Sequence, residues 1–78
     1  MLLTAYHRWL YISHEGDRDE IAAQIYSDCV NQRNPQAFDL LVLTGDTSFK
    51  PETFIKAADL ILKQYESENK QNEDDSQI

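Results

Sequence analysis

A single cysteine, Cys29, stands in this chain, which rules out an internal disulfide framework. Glycine is nearly as scarce. Gly16 and Gly45 are the only two, so no glycine-rich loop is present to cradle a phosphate. Long apolar runs are missing as well. Even Leu40–Leu43 falls far short of the ~20 residues that span a bilayer. Met1-Leu2-Leu3 gives way at once to His7, Arg8 and Trp9, so no secretory signal is read at the amino end. Together with the lone thiol, this points to a soluble, cytoplasmic protein without a membrane partner. Bases are outnumbered: seven Lys and Arg face fourteen Asp and Glu, for a net charge of −7. That balance disfavours non-specific nucleic-acid binding, which needs a surplus of cations facing phosphate. With 78 residues the chain makes one domain, whose core supplies on the order of 3–5 kcal/mol and leaves little room for a deep, dry active site.

What is present is helical patterning. Asp17 and Glu20 have the spacing of a capping box, with Asp in the place of Ser or Thr. Behind them Ile21-Ala22, Ile25-Tyr26 and Cys29-Val30 recur every four residues and paint one broad stripe on a helix from Arg18 to about Asn31. Cys29 lies on that stripe and reads as a buried small hydrophobe, a reactive thiol being the alternative. A first helix covers about residues 4–13, capped by Thr4, with Tyr6, Trp9, Leu10 and Ser13 on its inner side. Trp9, the only tryptophan, is expected to anchor the core. His14-Glu15-Gly16 ends that helix, Gly16 supplying a left-handed stop. Asn34-Pro35 opens a third helix to about Leu43, with Phe38, Leu40 and Leu41 inward. A strand over residues 38–43 is the alternative there, since so short an apolar run fits either state. After the turn residues 44–48, Pro51 opens a last helix that reads to Tyr65, with Phe54, Ala57, Ala58, Ile61 and Tyr65 facing in and Phe49 folding back as a staple. Glu66, Glu68, Glu73, Asp74 and Asp75 then face Lys70 alone. The expected organisation is a helical domain over residues 1–67 and a disordered acidic tail over 68–78.

The search for chemistry returns little. His7, His14 and Cys29 are the soft metal-ligand types, and their separations of seven and fifteen residues fit no paired zinc signature. No metal or cofactor is expected. Ser13, His14, Glu15 and Asp17 crowd one turn, but general acid–base work needs a cleft and a shell that positions substrate. The expectation is a protein that is not an enzyme. Eight aromatic residues are many for this length, and about six are assigned to the core. Tyr11 falls off the inner stripe of the first helix beside Arg8, and Tyr and Arg are both enriched at interface hot spots. Arg8, Tyr11 and Arg18 are therefore the candidate partner-binding residues. The plainer alternative has Tyr11 covering the edge of the core. Arg33, Lys50 and Lys56 complete a sparse basic set that reads as a solvated face.

Ala5-Tyr6-His7-Arg8-Trp9-Leu10 resembles the opening of the YozE-like family of small bacterial proteins. Asp19-Glu20-Ile21-Ala22 with Ile25-Tyr26-Ser27-Asp28, and Phe54-Ile55-Lys56-Ala57 with Gln64-Tyr65-Glu66-Ser67, are similar to its later segments. The likeness spans about residues 5–67. The chain departs from the family at Asn34-Pro35-Gln36, where the family has Phe-Pro-Lys, at Ala58, where a Trp is usual, and in a shorter middle section. The resemblance implies an all-α, SAM-like orthogonal four-helix domain and transfers no catalytic residue. On these grounds the chain is expected to be a non-enzymatic adaptor that binds another protein. A SAM-like domain that binds nucleic acid, or an acidic inhibitor of a nucleic-acid-binding protein, are the alternatives.

Overall fold

Helix α1 (Ala5–Ser13) begins where Thr4 turns the chain from extended to helical. The Thr4 hydroxyl accepts the His7 amide at 3.2 Å, and His7 Nδ1 accepts the Thr4 amide at 3.1 Å. His7 thus occupies the place that Glu or Gln takes in the usual capping box. Helix α2 (Arg18–Val30) starts on Asp17, whose carboxylate accepts the Asp19 and Glu20 amides at 3.0 and 3.2 Å. Helix α3 (Pro35–Thr44) is capped by Asn34 and stopped by Gly45 in the left-handed region. Helix α4 (Pro51–Ser76) completes the fold. The structure, a computed structural model, describes the backbone of residues 2–76 and the side chains of residues 2–68.

The domain is all-α, and no strand occurs among the described residues. Residues 38–43 are helical, as the Asn34-Pro35 start predicts. Helix α4 runs past Tyr65, where its apolar stripe ends. The segment expected as an acidic tail, 68–78, lies outside the described side chains except for Glu68.

Leu10, Ile21, Ile25, Leu40, Leu41 and Ile61 are fully buried, and Tyr6, Ala22, Ala37, Phe54, Ala57 and Ala58 close the core around them. Every helix contributes, and α2 and α4 form its largest contact. Small residues at 22, 37, 57 and 58 let the helices approach. Removing a fully buried Leu or Ile side chain from such a core costs about 2–5 kcal/mol. Tyr6 and Asp28 are buried together, the phenol donating to the carboxylate at 2.7 Å. Gln24 donates to the other oxygen at 2.9 Å. This bond pins α1 across α2.

Three aromatic or thiol positions differ from expectation. Trp9 does not anchor the core: it is 46 % exposed, stacked on Tyr6 and edge-on to His14. The buried arc of α1 is centred on Tyr6, His7 and Leu10, and position 9 falls on its shoulder at 100° per residue. His7 takes the inward place. Phe38 is likewise half exposed, because Ala37, Leu40 and Leu41 already fill the inner arc of α3. Cys29 is only partly buried, packed against the core from its edge. Burial, and then the neighbouring Asp28 carboxylate, push its thiol pKa up, which keeps it protonated and unreactive.

Candidate functional site

The stripe on α2 is wider than the core requires. Ile21 and Ile25 turn fully inward, while Tyr26 and Val30, the second members of their pairs, are half exposed on the shoulder. Helix α4 runs antiparallel alongside, since Arg18 reaches Asp59 at one end while Tyr26 meets Phe54 at the other. Between the two shoulders lies an open groove of about 440 Å³. Ala22, Ala23 and Tyr26 form one wall, Pro51, Phe54 and Ile55 the other, and Phe49 closes the end.

The aromatic rings touch in series. Tyr26 meets Phe54 edge-on at 5.2 Å, Phe54 meets Phe49 edge-on at 5.7 Å, and Phe49 meets Phe38 at 6.3 Å. Tyr26, Phe49 and Phe38 are each between 42 and 50 % exposed. Half of the chain's eight aromatic residues therefore touch in one series across α2, α3 and the start of α4, with Phe54 buried beneath three half-exposed rings. Contiguous exposed apolar patches are the kind of surface at which interaction sites are found, whereas scattered exposed leucines are ordinary.

Phe49 is held there against its own backbone preference. Its φ of 60° is left-handed, a conformation that costs a bulky residue about 1–3 kcal/mol. The loop before it explains how that is sustained. The Asp46 carboxylate accepts both the Ser48 amide at 3.0 Å and the Ser48 hydroxyl at 2.6 Å. Ser48 also shares a hydrogen bond with the buried Thr53 hydroxyl at 3.2 Å. These bonds to Ser48 hold the Asp46 carboxyl down to about 2. Lys56 approaches Asp46 at 3.5 Å from α4. The loop is tied at both ends, and Phe49 follows directly. Its ring packs on Phe54, three residues into α4 from Pro51, which is the expected staple.

The residues singled out from sequence make their contacts within the chain. Arg8 pairs with Glu68 at 3.0 Å. Tyr11 lies flat on Tyr65, with ring centroids 4.0 Å apart and planes at 11°, and its hydroxyl reaches Glu66 at 3.4 Å. Burial, then Glu66, raise its phenol pKa. Tyr11 thus covers the edge of the core, the plainer of its two readings. Arg18 stands away from this pair, 3.8 Å from both Asp19 and Asp59. Arg8 and Tyr11 are brought together against the end of α4, whereas Arg18 sits at the mouth of the groove. Tyr26, Phe38 and Phe49 were missed because periodicity assigns apolar residues to a core without asking how many the core can hold. The available signal was the surplus of aromatics over what so few residues can bury.

Among the described residues no group of three or more His, Cys, Asp or Glu is gathered to hold a metal, and no helix is long and apolar enough to cross a membrane. Comparison with family models, with curated proteins and with solved structures finds no match to this chain.

Proposed function

We propose that this chain is a small non-enzymatic adaptor that binds another protein, and that it does so through the groove of Tyr26, Phe49, Phe54 and Ile55. The observation that carries the reading is the band of half-exposed aromatic rings, one of them fixed in a left-handed backbone. Rigid aromatic side chains lose little conformational freedom on binding and dominate interface energetics. A preformed groove with a locked loop keeps that cost low. The arrangement of the four helices is read as SAM-like, in keeping with the resemblance to the YozE-like family. That likeness is one of fold and brings no activity with it. A cytoplasmic location follows the reduced single thiol.

Nucleic-acid binding is the weaker reading. Arg8, Arg18 and Lys56 each face a carboxylate, which leaves those cations partly neutralised. The inhibitor reading calls for carboxylates arrayed to imitate phosphates, and the groove presents rings instead.

Site-specific photo-crosslinking in the native host tests the proposal. A photoreactive amino acid in place of Tyr26 or Phe49 is expected to capture a discrete protein, and the same group in place of Tyr11 is not. Equal capture from all three positions, or none from the groove, would reject the groove as the binding surface.

A further inference from the structure

The groove is apolar along its walls and acidic at one end. Asp19 stands one turn before Ala22 and Ala23 on α2, and Asp59 stands one turn after Ile55 on α4. Both carboxylates lie 3.8 Å from the single guanidinium of Arg18. Neither is within hydrogen-bonding distance of it, and both remain substantially exposed. At the opposite end Lys50 follows Phe49 in sequence, and Glu52, beside Pro51, balances its charge. The groove therefore has a direction: rings with balanced charge at one end, carboxylates in excess at the other.

Resting on the groove as the binding surface, we infer that its occupant is a basic amphipathic helix. One apolar side chain seats between Tyr26 and Phe49, and a lysine or arginine one to two turns further on reaches Asp19 and Asp59. Three observations favour it over the other occupants. The walls are two antiparallel helix shoulders, a geometry into which a third helix lays an apolar stripe at i, i+3, i+4 and i+7 spacing. The carboxylates at the mouth are only partly compensated, so an incoming cation finds unspent acceptors there. A second copy of this chain would bring another net charge of −7 to the same place, and that repulsion opposes self-association.

A designed helix of about 18 residues, five turns, serves as the probe, with leucines on one face and lysines on the other. Its counterpart has glutamates in place of the lysines. Binding to the full chain is followed by fluorescence anisotropy of the labelled peptides and by NMR shifts of the groove residues. The leucine–lysine helix is expected to move the signals of Ala22, Tyr26 and Ile55, and to bind at least about tenfold tighter than the leucine–glutamate helix at low salt. The double variant Asp19→Asn, Asp59→Asn, which alters exposed side chains only, is expected to weaken it about three- to tenfold and to flatten its salt dependence. Tyr26→Ser is expected to abolish the shifts while the circular dichroism spectrum at the assay temperature stays that of the folded parent.

If the glutamate helix occupies the groove equally well, the basic partner is wrong and the groove reading stands. The same holds if sedimentation shows a dimer that Tyr26→Ser dissolves. If the lysine helix binds Tyr26→Ser as tightly as the parent, its attachment is diffuse charge attraction and the inference falls. If neither helix perturbs the groove, both the inference and the groove reading fall.

Discussion

At the scale of single residues, backbone conformation sets sharp demands that composition does not advertise. Glu15 and Gln32 both have φ of 53°, and each ends a helix in the same way. Glu15 and Gly16 donate to Ile12 and Tyr11, and Gln32 and Arg33 donate to Cys29 and Asp28, so two Schellman motifs close α1 and α2 with a side-chain-bearing residue in the left-handed position. Gln32→Gly relieves that strain and is expected to raise stability by about 0.5–1 kcal/mol, read as a higher urea midpoint at unchanged slope. The two glycines make a sharper pair. Gly16 and Gly45 share a left-handed φ, 72° and 79°, but a Cβ at Gly16 would lie 3.0 Å from the Cζ and hydroxyl of Tyr11, whereas a Cβ at Gly45 meets open space. Gly45→Ala is expected to cost about 1 kcal/mol for its backbone alone. Gly16→Ala pays the same and must also displace the Tyr11 ring from its stack on Tyr65, so its loss is expected to reach about 2–3 kcal/mol. Equal losses for the two variants would show that the Tyr11 ring moves aside freely.

Helices are the scale at which the sequence was most legible, and the reason is local. Asp17, Asn34-Pro35 and Thr4 satisfy their helix starts through bonds that span two or three residues, so the signal and the structure lie within one short window. The same locality settles residues 38–43, where the Asn34-Pro35 start outweighed an ambiguous apolar run. Burial was less legible, because it depends on which neighbours arrive from elsewhere in the chain. Nothing near Trp9 says that His7 will take the inward arc, and nothing near Phe38 says that Ala37 will. The surroundings of the candidate residues were hard to read for a related reason. Arg8 and Tyr11 look free when α1 is considered alone, yet Tyr65, Glu66 and Glu68, more than fifty positions away, meet them. The exposed Arg8–Glu68 pair contributes at most about 1 kcal/mol, so the join between α1 and the end of α4 rests on the rings. A double-mutant cycle of Tyr11→Ala and Tyr65→Ala is expected to give a coupling of about 0.5–1.5 kcal/mol, while Arg8→Ala with Glu68→Ala gives less than half of that and loses it at high salt.

Taken as a whole molecule, the domain is expected to be most stable near neutral pH, with a different residue limiting it on each side. On the acid side the group is His7. Burial holds its imidazole pKa below the ordinary value, and in the fold its neutral Nδ1 accepts the Thr4 amide. The unfolded chain therefore binds the proton first, and stability falls as pH drops below about 6.5 until the folded imidazole also protonates. The hydrogen bond between the imidazole and the Leu2 backbone acts in the opposite sense and softens that loss. His7→Gln keeps a side chain suited to the capping box while removing the titration, and its melting temperature is expected to change less between pH 7 and 5 than that of the parent. On the alkaline side the group is Tyr6. Burial, and then its hydrogen bond to the Asp28 carboxylate, push the phenol pKa far above its usual value. Above about pH 10 the unfolded chain gives up this proton while the folded chain retains it, so stability declines as pH rises. Tyr6→Phe separates the two consequences. At pH 7 the variant is expected to lose about 1–3 kcal/mol, because Asp28 stays buried with Gln24 as its remaining side-chain donor. Between pH 9 and 11 its stability is expected to fall less steeply than the parent's, since no buried phenol remains at that position to resist ionisation. Urea unfolding at a series of pH values reads both effects. A variant whose alkaline slope matched the parent's would move the limiting group to Tyr11 or Cys29, the other phenol and the thiol whose pKa values burial raises.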